Sequence, residues 1–384
     1  MQKEREVQNP GPKIVFVVRL SAIGDTLIAA KTVQGLIQAG HTPVLCTGHT
    51  SADVALAIPN LKYCVLNEAG SSPKYYTVLE HDGERALNAL APSELAALLK
   101  PTTAVLDLQN TRRSKRFIKV LKKDFPARTL QVHSVQKHTL RRSFLVAKSF
   151  FVRKQVPKNI ALAENKPNSL FCPPHNLHRV AHANESLAKR VLGENLAFSG
   201  CRISPPQKLP TCVPQNFWSA KFVVLCPGAS LPLKSWDVAN FAAVAQSVVR
   251  NKNANIVLIG GPAEQKMSEE ICRTLPTHRA LNLAGKISLG ESLTVLSKAA
   301  YVVSGDSFPG HACDLLGVPA TILFGATSPH FGFAPEAANI RIRWLALTCS
   351  PCTRHGRGKC RFGNLACLAG ISPQEVLSDM AQSL

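Results

Sequence analysis

Short apolar runs, each ending in a glycine-bearing turn and then giving way to a helical pattern, leave this chain few folds to adopt. In the second half the runs are Phe222–Cys226, Asn255–Ile259, Tyr301–Ser304 and Ala320–Phe324, followed by the turns CPGAS, IGGPAE, SGDSFPG and FGATSP. Helical spacing is predicted in the gaps, at Val238–Arg250, Glu264–Leu275, Glu291–Ala300 and His311–Leu316. A strand of consecutive apolar residues has no polar face to turn to water, so both of its faces must be covered. Strands alternating with helices meet that demand in a doubly wound parallel sheet.

The first half repeats the alternation less cleanly. Strands are predicted at Ile14–Val18, Pro43–Cys46, Tyr63–Leu66, Ala104–Leu108 and Thr129–Val132. Helices are predicted at Thr26–Ala39 (closed by Gly40), Glu84–Leu99, Arg112–Lys122, Leu140–Phe151 and His182–Leu192. Between the halves, Ser199–Phe217 carries four prolines and no periodicity, the composition of a linker. The expected organisation is a polar lead at 1–12, a first Rossmann-like α/β domain at 13–198, the linker at 199–217, and a second such domain at 218–384. Ligands of such sheets sit beyond the carboxyl ends of the strands, so a cleft between the domains is expected.

Charge narrows the partners. The 384 residues hold 45 Lys and Arg against 24 Asp and Glu, a formal net charge of +21. Such an excess points to something anionic: nucleic acid, a membrane surface or a phosphorylated substrate. It is concentrated between Arg112 and Lys158, where fifteen Lys and Arg meet one acid, Asp124. No apolar stretch is long enough to span a bilayer, and the N-terminus has no secretion-type apolar core, so a cytosolic protein is expected.

Most of the twelve cysteines lie in core-like segments, among them Cys226, Cys272 and Cys313, and are expected to be buried thiols. The last four, Cys349, Cys352, Cys360 and Cys367, read C-x2-C-x7-C-x6-C. Four thiols so spaced suit a structural zinc knuckle, with His355 an alternative ligand. They equally suit a thiol-bearing surface loop, and both readings stay open.

The distinctive motifs fall at strand carboxyl ends. In CPGASLPLKSW, Gly228, Ala229 and Ser230 follow a strand, with Lys234 shortly after. Small residues let backbone approach a phosphate, a helix start offers N–H donors, and a lysine adds charge. SGDSFPGH repeats the idea with Gly305, Asp306, Ser307 and His311, so the two turns together suggest a diphosphate site. Neither G-x-G-x-x-G nor the P-loop pattern occurs, which disfavours ordinary dinucleotide oxidoreductases and P-loop NTPases. Near the start, in KIVFVVRLSAIGDTLIAA, Gly24 and Asp25 stand where a strand yields to a helix. By spacing alone Asp25 is a helix N-cap, with Gly24 giving a tight turn.

The set RLSAIGDTL, DLQNTRRS, PGASLPLKSW, IGGPAE, NLAGKISLGE, SGDSFPGHACDLLGVPATILFGATSP and CSPC resembles glycosyltransferase family 9, the ADP-heptose:lipopolysaccharide heptosyltransferases. The likeness runs from about Lys13 to Leu377, in the family's order. It implies the GT-B fold, two Rossmann-like domains facing a central cleft. It also implies inverting transfer of heptose from ADP-L-glycero-β-D-manno-heptose to a hydroxyl of the lipopolysaccharide inner core, with no metal required for catalysis. Carried over by motif, Asp25 is the base. Ser230, Lys234 and Ser307 stabilise the diphosphate, Asp306 meets sugar hydroxyls and Glu264 lies near the ribose. From its place in the first turn of a helix, His311 is either a donor contact or a structural histidine, and both readings stay open. Arg112, Arg113, Arg141 and Arg142 are candidates for an anionic acceptor, and the basic segment suits peripheral attachment to the inner face of the cytoplasmic membrane.

The sequence departs from the family pattern at Ser307-Phe308, where Thr-Gly is usual, at Cys226, where Asn is common, and at Ala326, where Pro is common. These departures leave room for another nucleotide sugar. A basic nucleic-acid binder and a catalytically silent relative are the remaining alternatives, though no helix-turn-helix or RNP motif supports the former.

Overall fold

The computed structural model describes residues 13–67, 76–81, 87–91, 93–94, 97, 104–125, 131–135, 170–171, 180–192, 196, 198, 200–229, 231–381 and 383–384. These fall into two compact units, one within Met1–Lys137 and Ala181–Cys201, the other within His138–Val180 and Arg202–Leu384. The division at Cys201 falls inside the proline-rich stretch.

The first unit is built on a seven-stranded sheet. Its strands are β1 (Ile14–Arg19), β2 (Thr42–Gly48), β3 (Tyr63–Asn67), β4 (Tyr76–His81), β5 (Leu87–Leu90), β6 (Ala104–Asp107) and β7 (Gln131–Ser134), in the order β5-β4-β3-β2-β1-β6-β7. The central pairs are parallel, and β4 and β5 add an antiparallel edge. Val15, Val17 and Val18 are fully buried, as an unbroken apolar run requires. Around the sheet lie α1 (Ile23–Gln38), α2 (Ala52–Ala57), α3 (Arg112–Asp124) and most of α4 (Val180–Leu192). Phe16 meets Phe125 at 5.7 Å between ring centroids, which ties β1 to the end of α3.

The helix predicted over Glu84–Leu99 is not what forms at Leu87–Leu90, which is β5. Pairing with β4 at the sheet edge outweighs the local pattern there. The helix predicted at Leu140–Phe151 lies outside the described residues.

The second unit holds β8 (Leu170–Phe171), β9 (Phe222–Cys226), β10 (Asn255–Leu258), β11 (Ala280–Asn282), β12 (Tyr301–Gly305), β13 (Ala320–Phe324) and β14 (Ile340–Trp344). Their order is β11-β10-β9-β12-β13-β14-β8. From β9 to β14 every pairing is parallel, which is the 3-2-1-4-5-6 order of a dinucleotide-type sheet. The short β8 pairs antiparallel with β14, so Leu170 and Phe171 belong to this sheet rather than to the first domain. Two residues of pairing carry no signal in sequence.

The helices here are α5 (Val238–Lys252), α6 (Gln265–Arg273), α7 (Leu289–Lys298), α8 (Phe308–Leu316), α9 (Ala366–Ala369) and α10 (Pro373–Met380). Several carry their start signals in side chains. Asp237 accepts the N–H of Ala239 ahead of α5, and Ser288 with Glu291 closes a reciprocal capping box on α7. The core gathers Trp236, Phe241, Val244, Val248, Ile271 and Val303, and the Trp236 and Phe241 rings meet edge to face at 5.1 Å.

Each sheet reverses its order at one place, between β1 and β6 in the first and between β9 and β12 in the second. At such a reversal the chains leaving the two strands turn to opposite faces, and a crevice opens at their carboxyl ends. The motifs singled out in the sequence sit at these two places.

Candidate active site

At the first reversal, β1 ends in Arg19 and the chain turns through Leu20, Ser21 and Ala22 into α1. Gln109, just beyond β6, holds this turn. Its Oε1 accepts the Leu20 N–H at 2.8 Å and its Nε2 donates to Ser21 Oγ at 3.2 Å. Gln109 is held in turn by buried Asp107, whose Oδ1 accepts the N–H groups of Gln109 and Asn110 and whose Oδ2 accepts the Ser114 hydroxyl. A β-carbon on Gly48 would stand 2.7 Å from the Leu20 carbonyl oxygen, so only glycine lets β2 pass that close to the turn.

Asp25 lies at the third position of α1, not at its N-cap, which is Ala22. Its Oδ2 accepts the Ala22 N–H at 3.2 Å and lies 2.5 Å from Arg19 Nη2. Arg19 is fixed by donating from Nη1 to the Leu108 carbonyl at 2.8 Å. The Asp25 side chain is 24% exposed, and its Oδ1 receives no hydrogen bond from any described residue. One oxygen therefore anchors the carboxylate and the other is open to a ligand. Gly24 does not make the turn. It is a helical residue of α1 without left-handed φ, and residues 20–22 do the turning.

Of the arginines proposed for an anionic acceptor, Arg112 and Arg113 open α3 and are exposed, and Arg113 Nη2 donates to Asn67 Oδ1 at 3.0 Å. Arg141 and Arg142 lie outside the described residues. Beyond the two arginines, α3 exposes Lys115, Arg116, Lys119, Lys122 and Lys123, while Phe117, Ile118 and Leu121 are buried beneath.

At the second reversal the turn after β9 carries Lys234 and the turn after β12 carries Asp306. Lys234 Nζ lies 2.7 Å from Asp306 Oδ2 and donates to the Asp306 carbonyl at 3.1 Å. Thr327, in the turn after β13, donates to the same Oδ2 at 2.8 Å. The pair is largely buried, with side chains 17% and 10% exposed. A β-carbon on Gly305 would come within 2.6 Å of the Lys234 carbonyl oxygen, so glycine is needed for the two turns to meet.

Ser307 is the N-cap of α8, yet its hydroxyl makes no cap bond and instead shares a hydrogen bond with Ser304 Oγ at 3.2 Å. Within the first turn of α8, Gly310 N–H donates to the Ser307 carbonyl at 3.3 Å rather than to its hydroxyl, and Pro309 has no N–H to offer. His311 follows in the same helix. Ser230 lies outside the described residues. Glu264 sits where β10 ends, its Oε2 accepting the Gly261 N–H at 2.7 Å. A β-carbon on Gly228 would fall 1.9 Å from Glu264 Cγ, so this glycine makes room for the Glu264 side chain. Sequence reasoning placed a phosphate against that glycine instead.

The C-terminal cysteines are thiols, as are the other described cysteines. Among the described residues no group of three or more His, Cys, Asp or Glu side chains is placed to hold a metal ion. Cys367 is buried in α9, whereas Cys349, Cys352 and Cys360 lie half-buried on the preceding loop. Burial pushes the Cys367 thiol up to about 12, and the thiols of Cys352, Cys349 and Cys360 add to the rise.

Three residues of these sites escaped the sequence reading: Arg19, Gln109 and Thr327. Each lies inside a motif of the family set, in RLSAIGDTL, DLQNTRRS and FGATSP, but no spacing within those motifs marks it for a role.

Comparison with known proteins agrees with the geometry. Residues 95–361, more than half of the chain, match glycosyltransferase family 9 (heptosyltransferase). Lipooligosaccharide heptosyltransferase 2 of Haemophilus influenzae is 32% identical over 110 residues, 28% of this chain and 32% of that protein. Lipopolysaccharide heptosyltransferase 2 of Escherichia coli K12 is 27% identical over 199 residues, 49% of this chain and 54% of that protein. The aligned stretches thus span between a third and about half of those curated relatives. In fold the chain is similar to E. coli ADP-heptose lipopolysaccharide heptosyltransferase II, with TM-score 0.59 and 16% identity, covering 96% of this chain and 98% of the other. It is similar also to a family 9 glycosyltransferase from Veillonella parvula, with TM-score 0.63 and 17% identity, covering 97% and 99%. The chain belongs to glycosyltransferase family 9.

Proposed function

We propose that this protein transfers heptose, with inversion, from ADP-L-glycero-β-D-manno-heptose to a hydroxyl of the lipopolysaccharide inner core. The observation that carries the reading is the pair of reversal sites, one presenting a half-anchored carboxylate and the other a buried Lys234–Asp306 pair. Inversion in a single displacement asks for a base that takes the acceptor hydroxyl's proton as its oxygen attacks the anomeric carbon. Asp25 suits that task, because Oδ2 is tethered by Arg19 and Ala22 while Oδ1 stays open.

The leaving group is ADP, so charge grows on its diphosphate as the glycosidic bond breaks. Lys234, Ser307 and the amino end of α8 are the groups that answer that charge, and Asp306 is left one oxygen with which to meet a sugar hydroxyl. Glu264 and His311 complete the proposed donor site. Charge comes from these groups, and the proposed chemistry asks for no cofactor. The names of the relatives, lipopolysaccharide and lipooligosaccharide heptosyltransferases, support heptose as the transferred sugar and a lipopolysaccharide-type acceptor.

The acceptor is anionic and lipid-anchored in this reading. The exposed cations of α3 give it a surface to approach and give the protein a peripheral hold on the cytoplasmic face of the inner membrane. Among the described residues no helix is long and apolar enough to cross a membrane. Calorimetric titration with ADP, ADP-heptose, UDP and UDP-glucose tests the donor. Selective binding of the ADP compounds is expected, and preference for the UDP compounds would replace the donor.

A further inference from the structure

The loop bearing Cys349, Cys352 and Cys360 has no part in the chemistry above, yet it lies directly against the lysine of the donor site. Gly356 is buried and has φ +90. A β-carbon there would stand 2.9 Å from Lys234 Cγ, 3.2 Å from Cε and 3.3 Å from Cδ. The loop backbone therefore runs along the aliphatic stem of Lys234, leaving no room even for a methyl group.

That contact is held in place from several sides. Gly356 N–H donates to Thr353 Oγ1 at 3.2 Å. The N–H groups of Cys352 and Thr353 both donate to the Ala326 carbonyl, at 3.0 and 3.2 Å. Ser350 Oγ donates to the Gly325 carbonyl at 2.6 Å. The turn that accepts these bonds also carries Thr327, which fixes Asp306. One turn thus anchors both the loop over the lysine stem and the carboxylate that the lysine head meets. Behind them Trp236 Nε1 donates to the carbonyls of Leu368 and Ile371, so the chain that follows the loop is tied to the Lys234–Trp236 segment.

We propose that the cysteine-bearing loop is a working part of the donor site, with Gly356 as the positioning residue that holds Lys234 against Asp306 for the diphosphate. A lysine stem has four rotatable bonds and loses rotamer entropy when it is fixed. Walling the stem with backbone fixes it before the donor arrives, which is how preorganisation raises affinity. Glycine serves because the position combines a left-handed φ with a contact closer than any side chain allows. The inference rests on Lys234 binding the donor diphosphate.

The same loop supplies its own control. Gly358 has φ +99, but a β-carbon there would meet nothing within 4 Å. Gly356→Ala and Gly358→Ala therefore impose similar backbone strain, and only the first touches Lys234. The experiment is calorimetric titration of ADP into the full chain and into Gly356→Ala, Gly358→Ala, Lys234→Ala and the Gly356→Ala/Lys234→Ala double variant. Thermal melts check that each is folded. Gly356→Ala is expected to weaken ADP binding about tenfold, the scale of a disturbed charge-assisted bond, while Gly358→Ala stays within about twofold. In the Lys234→Ala background, Gly356→Ala is expected to add nothing, since the side chain it disturbs is gone.

Equal losses in both glycine variants, or a Gly356→Ala loss that simply adds to that of Lys234→Ala, would overturn the positioning role. So would wild-type affinity in Gly356→Ala beside a weakened Lys234→Ala. Wild-type affinity in Lys234→Ala would instead remove the donor role of the lysine, and the inference with it. If Gly356→Ala does not fold, Thr353→Val frees the loop without adding an atom beside the lysine. Its smaller loss should likewise vanish in the Lys234→Ala background, and a loss that persists there would overturn the role.

Discussion

Arg19 and Asp25 form a tethered pair across the turn that joins the first strand to the first helix. Arg19 Nη2 lies 2.5 Å from Asp25 Oδ2, and Arg19 Nη1 is held by the Leu108 carbonyl. The register of β1 against β6 is thereby passed to a single carboxylate oxygen. The arrangement gives Asp25 a fixed orientation and leaves Oδ1 open.

Asp25→Asn should abolish transfer while leaving ADP affinity near that of the parent protein. The amide keeps the shape and an acceptor oxygen for the Ala22 N–H, but it is no base. Turnover at the parent rate in Asp25→Asn would remove Asp25 from the chemistry.

Arg19→Ala should lower kcat by about a hundredfold through a misplaced base, with little change in ADP affinity, because the proposed donor residues Lys234 and Asp306 belong to the other unit. Added guanidinium ion should restore part of the rate. A variant with unchanged kcat would show that Asp25 needs no tether, and one with a lowered melting temperature and no rescue would make the role purely structural.

Lys234→Ala should weaken ADP binding by about 1.5–3 kcal/mol, the worth of a hydrogen bond to a charged group. It also leaves Asp306 buried beside Thr327 without its cation. Equilibrium titration measures the loss, and unchanged affinity would return Lys234 to a structural role.

How much of this was legible in the sequence follows from how local each signal is. The strands β9, β10, β12 and β13 were readable because both faces are buried, so apolar residues run without a break. Strand β14 was not readable, because IRIRW interrupts its apolar residues with arginines. Arg343 is tolerated there only because Asp379, on a distant helix, meets it with two bonds at 2.6 and 2.9 Å. Asp25, Lys234 and Asp306 were legible through their motifs. What those motifs did not reveal were the long-range partners, Leu108 for Arg19 and Thr327 for Asp306, which only the closed sheets bring near. The neighbour of Gly228 was hidden for the same reason, since the side chain beside it is that of Glu264 on the neighbouring strand's turn.

The Arg343–Asp379 pair yields a stability prediction. The side chains are 15% and 8% exposed, and Asp379 also accepts the Thr321 hydroxyl at 3.1 Å. Asp379→Ala removes the two short bonds to Arg343, leaving it Glu375 Oε1 at 3.8 Å and the Glu375 carbonyl at 3.2 Å, and should cost about 2–3 kcal/mol, read from the urea midpoint. Arg343→Met in the same chain should recover part of the loss. A single variant as stable as the parent would mean that the pair does not pin α10.

Burial raises the thiols of Cys46, Cys64, Cys226 and Cys313 well above the ordinary value of 9.0, and brings Cys272 to about 11 and Cys367 to about 12. A raised folded-state value means that the folded protein holds these protons more tightly than the unfolded chain does. Their contribution to stability is complete below pH 9.0 and is lost as pH rises toward the folded values. Urea stability should therefore fall above that pH. At pH 8 a thiol reagent should label exposed Cys212 promptly and reach Cys226 and Cys313 only on unfolding. Rapid labelling of Cys226 in the native protein would contradict their enclosure.

Heptose transfer is tested most directly by incubating the full chain with ADP-heptose and a deacylated inner-core acceptor, followed by mass analysis of the acceptor. A gain of one heptosyl unit with the parent protein, absent with Asp25→Asn, is the predicted result. An acceptor left unmodified by a protein that binds ADP-heptose, or one extended only when a UDP-sugar is supplied, would contradict heptose transfer by this chain.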